Sequence, residues 1–366
     1  MATIILINII AGVCLLLWGL RHVRNGITRA LGNTLNRFIG ANTRNPLRAF
    51  AAGIGATALL QSSTATALII ASFCASGLLT TSAGIAVILG ADVGTAIVAQ
   101  ILSLDFSWLG PLLIILGYIT RTSNEKGQRL RHVGHIVLGL GLMLFALEWL
   151  RDSSQPLKNS ETLGVVLDAL NRDIIMAVLI AIVLTWLAHS SLAIVLLLVS
   201  FLDSGVITVP LAMAMVLGAN IGGGLPPVLA TIREGPVAYR VPVANILMRL
   251  TGAVICMFFI EPLHDLFTYL FPESGARLAV HFHLGFNIAL ALVFLPFAKA
   301  VAYGVEGLFV EQEDSDDPNK VRYLDEKQLN SPSMAMAAAT RETLHMADHV
   351  QEMQRLTLRA LETNDE

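Results

Sequence analysis

The polarity pattern divides this chain into long apolar runs separated by short polar breaks. Runs near the roughly 20 residues that a helix needs to cross a bilayer lie at about 2–20, 133–150, 241–260 and 279–303, with a shorter one at 107–120. Two further stretches, 49–104 and 174–232, hold a single charged residue each, Asp92 and Asp203. At a rise of about 1.5 Å per residue, each is too long for one span. Both are punctuated by Gly, Ser, Thr, Asn or Pro. Such interruptions are tolerated inside a bilayer only where protein or a wet cavity satisfies the freed backbone groups. The pattern predicts an all-α polytopic membrane protein with re-entrant hairpins or broken helices.

The two long stretches resemble each other. With Gln61 set against His189, 14 of the next 34 positions are identical without a gap, including the Ser-Ser pair, Ser-Phe, Ser-Gly and the closing L-G-A-x-x-G. Upstream, LLLWGLRHVR (15–24) lies over LMLFALEWLR (142–151). This is the internal duplication typical of secondary transporters. Loop charge indicates its sense, because cytoplasmic loops are rich in Lys and Arg. Segment 21–48 carries six arginines and no acid, whereas its counterpart 151–173 carries three bases against four acids. Segments 121–132 and 233–240 are also basic where their counterparts are not. A loop that is basic in one half and not in the other predicts two inverted-topology repeats, about 10–132 and 133–260, with an extra helix at about 279–303.

Composition sharpens this picture. Of 366 residues, 55% are apolar and 14% charged, against roughly a quarter charged in soluble domains, which excludes an ordinary soluble enzyme. The net charge of −3 is a body of +5 (1–304) joined to a tail of −8 (305–366). The body is therefore the membrane domain and the tail an acidic linker with a cytoplasmic helix. Cys14, Cys74 and Cys256 lie in apolar runs without metal-ligand spacing. The first charge is Arg21, so residues 2–20 lack the basic start of a cleavable signal and read as a retained span.

Two paired polar clusters carry the candidate chemistry. Gln61-Ser62-Ser63-Thr64 with Thr66 recurs as His189-Ser190-Ser191. A lone Ser-Ser is usually a back-bonding or packing feature; its recurrence favours a helix break whose free N–H groups and positive dipole end hold an anion. The hydroxyl and carbonyl oxygens there suit a hard cation. The second pair, Gly90-Ala91-Asp92-Val93-Gly94-Thr95 and Gly218-Ala219-Asn220-Ile221-Gly222, sets an oxygen side chain between glycines. Close packing explains such glycines too, yet an ionisable residue in a membrane is by default functional. Asp92 is a candidate for binding sodium or carrying a proton, with Asn220 as its neutral counterpart and Gly90, Gly94, Gly218 and Gly222 as points of helix unwinding. Arg249 and Glu148 read as snorkelling or intrabundle groups, His281 and His283 as interfacial histidines, and Asp203 as a solvated turn. No nucleotide, transition-metal or nucleophile motif is present, so neither enzyme activity nor nucleic-acid binding is expected, nor any cofactor.

At QSST (61–64), GADVGT (90–95), HSS (189–191) and GANIG (218–222), the sequence resembles the sodium/phosphate cotransporter family related to the type II animal carriers, in its bacterial branch. The resemblance spans about 10–304. It implies an inverted-repeat carrier whose Q-S-S segments face each other and bind phosphate and sodium. That assigns binding to Gln61, Ser62, Ser63, Ser190 and Ser191, with Thr64, Thr66, Asp92, Thr95 and Asn220 as neighbours. His189 in place of the second Gln, and Gly223 opposite Thr95, depart from the pattern; His189 suggests modulation by protonation near neutral pH. Residues 331–362, with Met346, Val350, Met353 and Leu361 on one helical side, are similar to the start of a PhoU-like domain, and read either as a truncated one or as a helix that packs against a partner.

The expected function is secondary active transport of inorganic phosphate coupled to sodium in the inner (plasma) membrane, compatible with a homodimer. Export or proton coupling is the alternative within transport. A non-transporting phosphate sensor signalling through the tail is the alternative outside it.

Overall fold

The computed structural model describes residues 2–41, 45–106, 108–122, 128–272, 275–310, 323–324 and 332–363. Among these residues every regular element is helical. The chain divides into one unit ending at Val310 and a second from Glu311 to Glu366.

The first unit begins with α1 (Ala2–Ala41), α2 (Pro46–Leu60), α3 (Ser63–Ala75), α4 (Thr81–Leu102), α5 (Leu109–Thr122) and α6 (Gln128–Ser154). A short 3-10 turn leads to α7 (Glu161–Arg172), α8 (Ile174–Ala188), α9 (Ser191–Asp203), α10 (Val209–Thr231) and α11 (Pro236–Phe258). Last come α12 (Ile260–Leu270), α13 (Leu278–Phe294) and α14 (Ala298–Leu308). Six helical segments are long and apolar enough to cross a membrane among the described residues, and the chain is a multi-pass membrane protein. In the most apolar part of α4 and of α10, 83% of residues are buried, against 22% in α1. The duplicated helices therefore form the centre and α1 an outer wall. Trp18, Ile115, Ile119, Leu187, Phe258 and Leu292 expose apolar surface, as lipid-facing side chains do.

The repeat is written into the helix ends. Asn45 caps α2 and Asp173 caps α8, Ser62 caps α3 and Ser190 caps α9, Thr80 caps α4 and Thr208 caps α10. Every pair is 128 residues apart. Each cap accepts a backbone N–H left free by the first turn, a bond worth about 1 kcal/mol.

Packing recurs at the same offset. A Cβ placed on Gly90 would lie 1.9 Å from the Phe50 carbonyl oxygen, and one on Gly218 2.3 Å from that of Val178. Gly94 meets the carbonyl of Ile54 and Gly222 that of Ile182, at 2.7 and 2.5 Å. α2 thus lies against α4, and α8 against α10, backbone to backbone. This corrects the expectation that Gly90, Gly94, Gly218 and Gly222 break their helices. α4 and α10 run through them without interruption, because the neighbouring helix fills the space a side chain would take.

Three further differences concern spans. α1 continues as helix to Ala41, through most of the basic segment expected as a loop. The expected helix at 279–303 is divided at Leu295–Phe297 around Pro296, which cannot continue the hydrogen-bond ladder. His283 is buried in the bundle rather than interfacial.

In the second unit, α15 (Pro332–Thr363) is a single helix that leaves Met346, Val350, Met353 and Leu361 exposed. The Tyr323 N–H donates to Glu342 Oε2 at 2.7 Å. Apart from Tyr323 and Leu324, the acidic linker at 311–330 lies outside the described residues.

Candidate functional site

The helix breaks fall at the two polar clusters. α2 ends at Gln61 and α8 at His189, both in the left-handed region at φ +51° and the only non-glycine residues with positive φ among those described. A left-handed residue ends a helix by turning its carbonyls away from the axis. The next residue in each half, Ser62 or Ser190, is extended. Its hydroxyl accepts the N–H of Ala65 or Ala193, each at 3.2 Å, and starts a new helix. The first N–H groups of α3 and α9 are thereby presented at the breaks.

Both breaks line one cavity, with about 310 Å³ of empty space when the open solvent at its mouth is included. Gln61, Ser62, Ser63, Thr64 and Thr95 come from the first half, and His189, Ser190, Ser191 and Leu192 from the second. Residues 128 apart in sequence are thus juxtaposed, and two helix N-termini, each equivalent to about half a positive charge, converge with four serines. Thr95 donates its hydroxyl to the Ala91 carbonyl at 3.1 Å. Gln61 Oε1 is buried without a hydrogen-bond partner among the described residues. No carboxylate among the described residues lines the cavity; Leu20 and Arg24 of α1 complete it.

Thr66 belongs to the scaffold of the turn. Its hydroxyl lies 2.9 Å from that of Thr57 and donates to the Ser62 carbonyl at 3.1 Å. In the second half Ile194 replaces it, and Thr185, the match of Thr57, has a buried hydroxyl without a partner among the described residues.

Asp92 and Asn220 do not line the cavity. Asp92 is gripped by Arg249 of α11 through two contacts, Nε to Oδ2 at 3.0 Å and Nη2 to Oδ1, with both side chains almost wholly buried. The third Arg249 nitrogen, Nη1, donates to the Asn220 carbonyl oxygen. The Asn220 side chain donates to Val216 O at 2.9 Å and accepts from Asn287 Nδ2 at 3.1 Å. One guanidinium therefore ties α4 to α10 behind the site. The same packing accounts for Gly223: a Cβ there would lie 3.0 Å from Ser191 Cβ and 3.3 Å from Arg249 Nη1. Where the first half has Thr95, the second yields that space to the arginine.

Of the two readings of Arg249, snorkelling or pairing within the bundle, the structure shows the second, and the partner, Asp92, was not legible in the sequence. Arg24 reads there only as part of a basic segment.

A family model described as Na+/Pi-cotransporter matches residues 15–152 and again 153–272. The chain belongs to the Na+/Pi-cotransporter family. That family consists of transporters, not enzymes, and each of its two matches contains one helix break of the shared cavity. Relatives of this Na+/Pi-cotransporter family member include the "Putative inorganic phosphate export protein YjbB" of Salmonella typhimurium, 36% identical over 352 residues, which cover 95% of this chain and 64% of that protein. The protein of the same name from Escherichia coli K12 is 35% identical over 351 residues, with the same coverage. The "Uncharacterized protein YqeW" of Bacillus subtilis is 30% identical over 296 residues, 81% of this chain and 95% of that protein. The chain thus spans less than two-thirds of the length of the YjbB proteins. No solved structure matches it.

Proposed function

We propose that this protein is a secondary active carrier of inorganic phosphate, coupled to sodium, which works by alternating access between two inverted repeats. The observation that carries this reading is the convergence of both Ser-Ser helix breaks on one cavity in a chain of this family. Phosphate is held by the N–H groups opening α3 and α9, by the hydroxyls of Ser63, Thr64 and Ser191, and by the amide of Gln61. Ser62 and Ser190 fix the breaks by accepting the Ala65 and Ala193 N–H groups, which leaves their own O–H groups free to donate. Sodium takes hydroxyl and carbonyl oxygens, with Thr95, Asp92 and Asn220 as further candidates, and supplies part of the counter-charge.

The inverted arrangement rests on loop charge. With the basic segment 21–48 in the cytoplasm, the α2–α3 hairpin enters from inside and the α8–α9 hairpin from outside, and their tips meet at mid-membrane. The same threading puts the tail in the cytoplasm, and the all-helical build suits the inner membrane, since outer-membrane spans are β-barrels. Phosphate export is the second reading, favoured by the name of the YjbB relatives. Direction follows the gradients, and the same site serves either.

The test is labelled phosphate flux in proteoliposomes, with and without a sodium gradient. Flux that depends on Gln61 and Ser62 and follows the sodium gradient supports the full reading. Flux that follows a proton gradient retains the carrier and replaces the coupling ion. No phosphate flux under any cation, with the protein folded and inserted, rejects it.

A further inference from the structure

Arg24 enters the cavity from α1, outside both hairpins. Among the described lining residues it is the one permanently charged side chain: Gln61, the serines, Thr64 and Thr95 are neutral, His189 is the one other titratable group, and none is a carboxylate. The side chain is half-buried, and no acid pairs with it among the described residues. A cation in that setting is costly unless something compensates it.

The duplication makes the same point. Arg24 aligns with Arg151 at the end of the two leading segments, LLLWGLRHVR and LMLFALEWLR. Arg151 is ion-paired with Asp203 at the end of α9. In the first half, the position matching Asp203 is Ala75. One arginine of the pair has its charge balanced within the protein, and the other is left to face a cavity built from anion-binding groups. Asp92, the buried acid on α4, is committed to Arg249.

We propose that Arg24 binds the transported phosphate directly, and that its contact contributes more to the doubly charged form than to the singly charged one. This rests on the phosphate-carrier reading and adds a third element, α1, to the contacts made by the two hairpins. A guanidinium presents two parallel N–H donors that match a pair of phosphate oxygens, whereas an ammonium offers one compact charge. The dianion gains more from a fixed positive charge than the monoanion does. Loss of that charge therefore weakens binding most above the second ionisation of phosphate.

The experiment measures phosphate flux against concentration in proteoliposomes carrying wild type, Arg24→Gln, Arg24→Lys and Gln61→Ala, below and above that ionisation. For Arg24→Gln the expected result is a KM about tenfold to a hundredfold higher, the range for a lost charge-assisted contact. The half-saturating sodium concentration stays within about twofold, and the dependence of KM on pH flattens. Arg24→Lys lies between Arg24→Gln and wild type. An unchanged KM in Arg24→Gln overturns the proposal, and so does a fall in kcat alone in both Arg24 variants, which would mark a structural role for α1. If Gln61→Ala also transports normally, the underlying site reading fails; if Gln61→Ala is inactive while Arg24→Gln is normal, only this inference fails.

Wild-type protein provides a measurement independent of variant folding. Phenylglyoxal modification, mapped by peptide, is expected to slow at Arg24 and not at Arg151 when phosphate is present. Equal rates at Arg24 with and without phosphate overturn the proposal.

Discussion

Truncating Asp92 to alanine leaves the Arg249 guanidinium buried without its carboxylate partner. The pair is 3% and 2% exposed, so solvent screens little of the interaction. Removing one member of such a pair costs about 3–5 kcal/mol, mostly as the penalty for an uncompensated buried charge. An unfolding entropy of about 2.1 cal/mol/K per residue gives roughly 0.65 kcal/mol/K for a unit of this size, so the melting midpoint falls by about 5–8 °C. The assay is thermal unfolding of purified protein in detergent, with Arg249→Met and the double variant Asp92→Ala, Arg249→Met alongside. The double variant is expected to recover most of the loss, because no charge is then stranded. Flux then separates structure from ion binding. If the recovered double variant still couples phosphate to sodium, Asp92 is a brace; if it folds but has lost coupling, Asp92 is also a ligand. An Asp92→Ala protein as stable as wild type would falsify the reasoning, as would a double variant less stable than either single one.

The remaining predictions concern the breaks and the tail. Gly90→Ala is expected to reduce folded yield more than Gly218→Ala, in the order of their 1.9 and 2.3 Å approaches to backbone oxygens; size-exclusion profiles of detergent extracts check this. Gln61→Gly relieves a left-handed residue of its Cβ and should match or exceed wild-type stability, yet lose phosphate flux; retained flux would mean that only the turn matters. His189→Gln should flatten the pH dependence of phosphate affinity if the exposed imidazole at the cavity acts by protonation, and an identical pH profile removes that role. A chain ending at Val310 should fold and transport with unchanged KM, since the first unit closes there; loss of flux with normal folding would give the tail a part in the cycle.

Much of the fold was legible because the duplicated segments carry local signals. Ser62 and Ser190, Thr80 and Thr208, Asn45 and Asp173 are cap residues set before apolar runs, and capping depends on only three or four neighbouring positions. The position of the two helix breaks followed from the same residues, because a break is a local event. The glycines misled, since Gly reads alike whether a helix unwinds or a second backbone presses on it; only the Phe50 and Val178 carbonyls distinguish the two. His283 misled in a related way, as its distance from the helix end did not reveal what packs around it.

The sequence alone determined the membrane class, the duplication and the two breaks, for these depend on hydrophobic period and short-range hydrogen bonding. The tertiary structure decided which charge meets which. Asp92 and Arg249 are 157 positions apart, and Arg24 reaches the breaks from a helix that belongs to neither hairpin. No periodicity encodes such meetings, because a charged side chain specifies the kind of partner it needs but not where along the chain that partner lies.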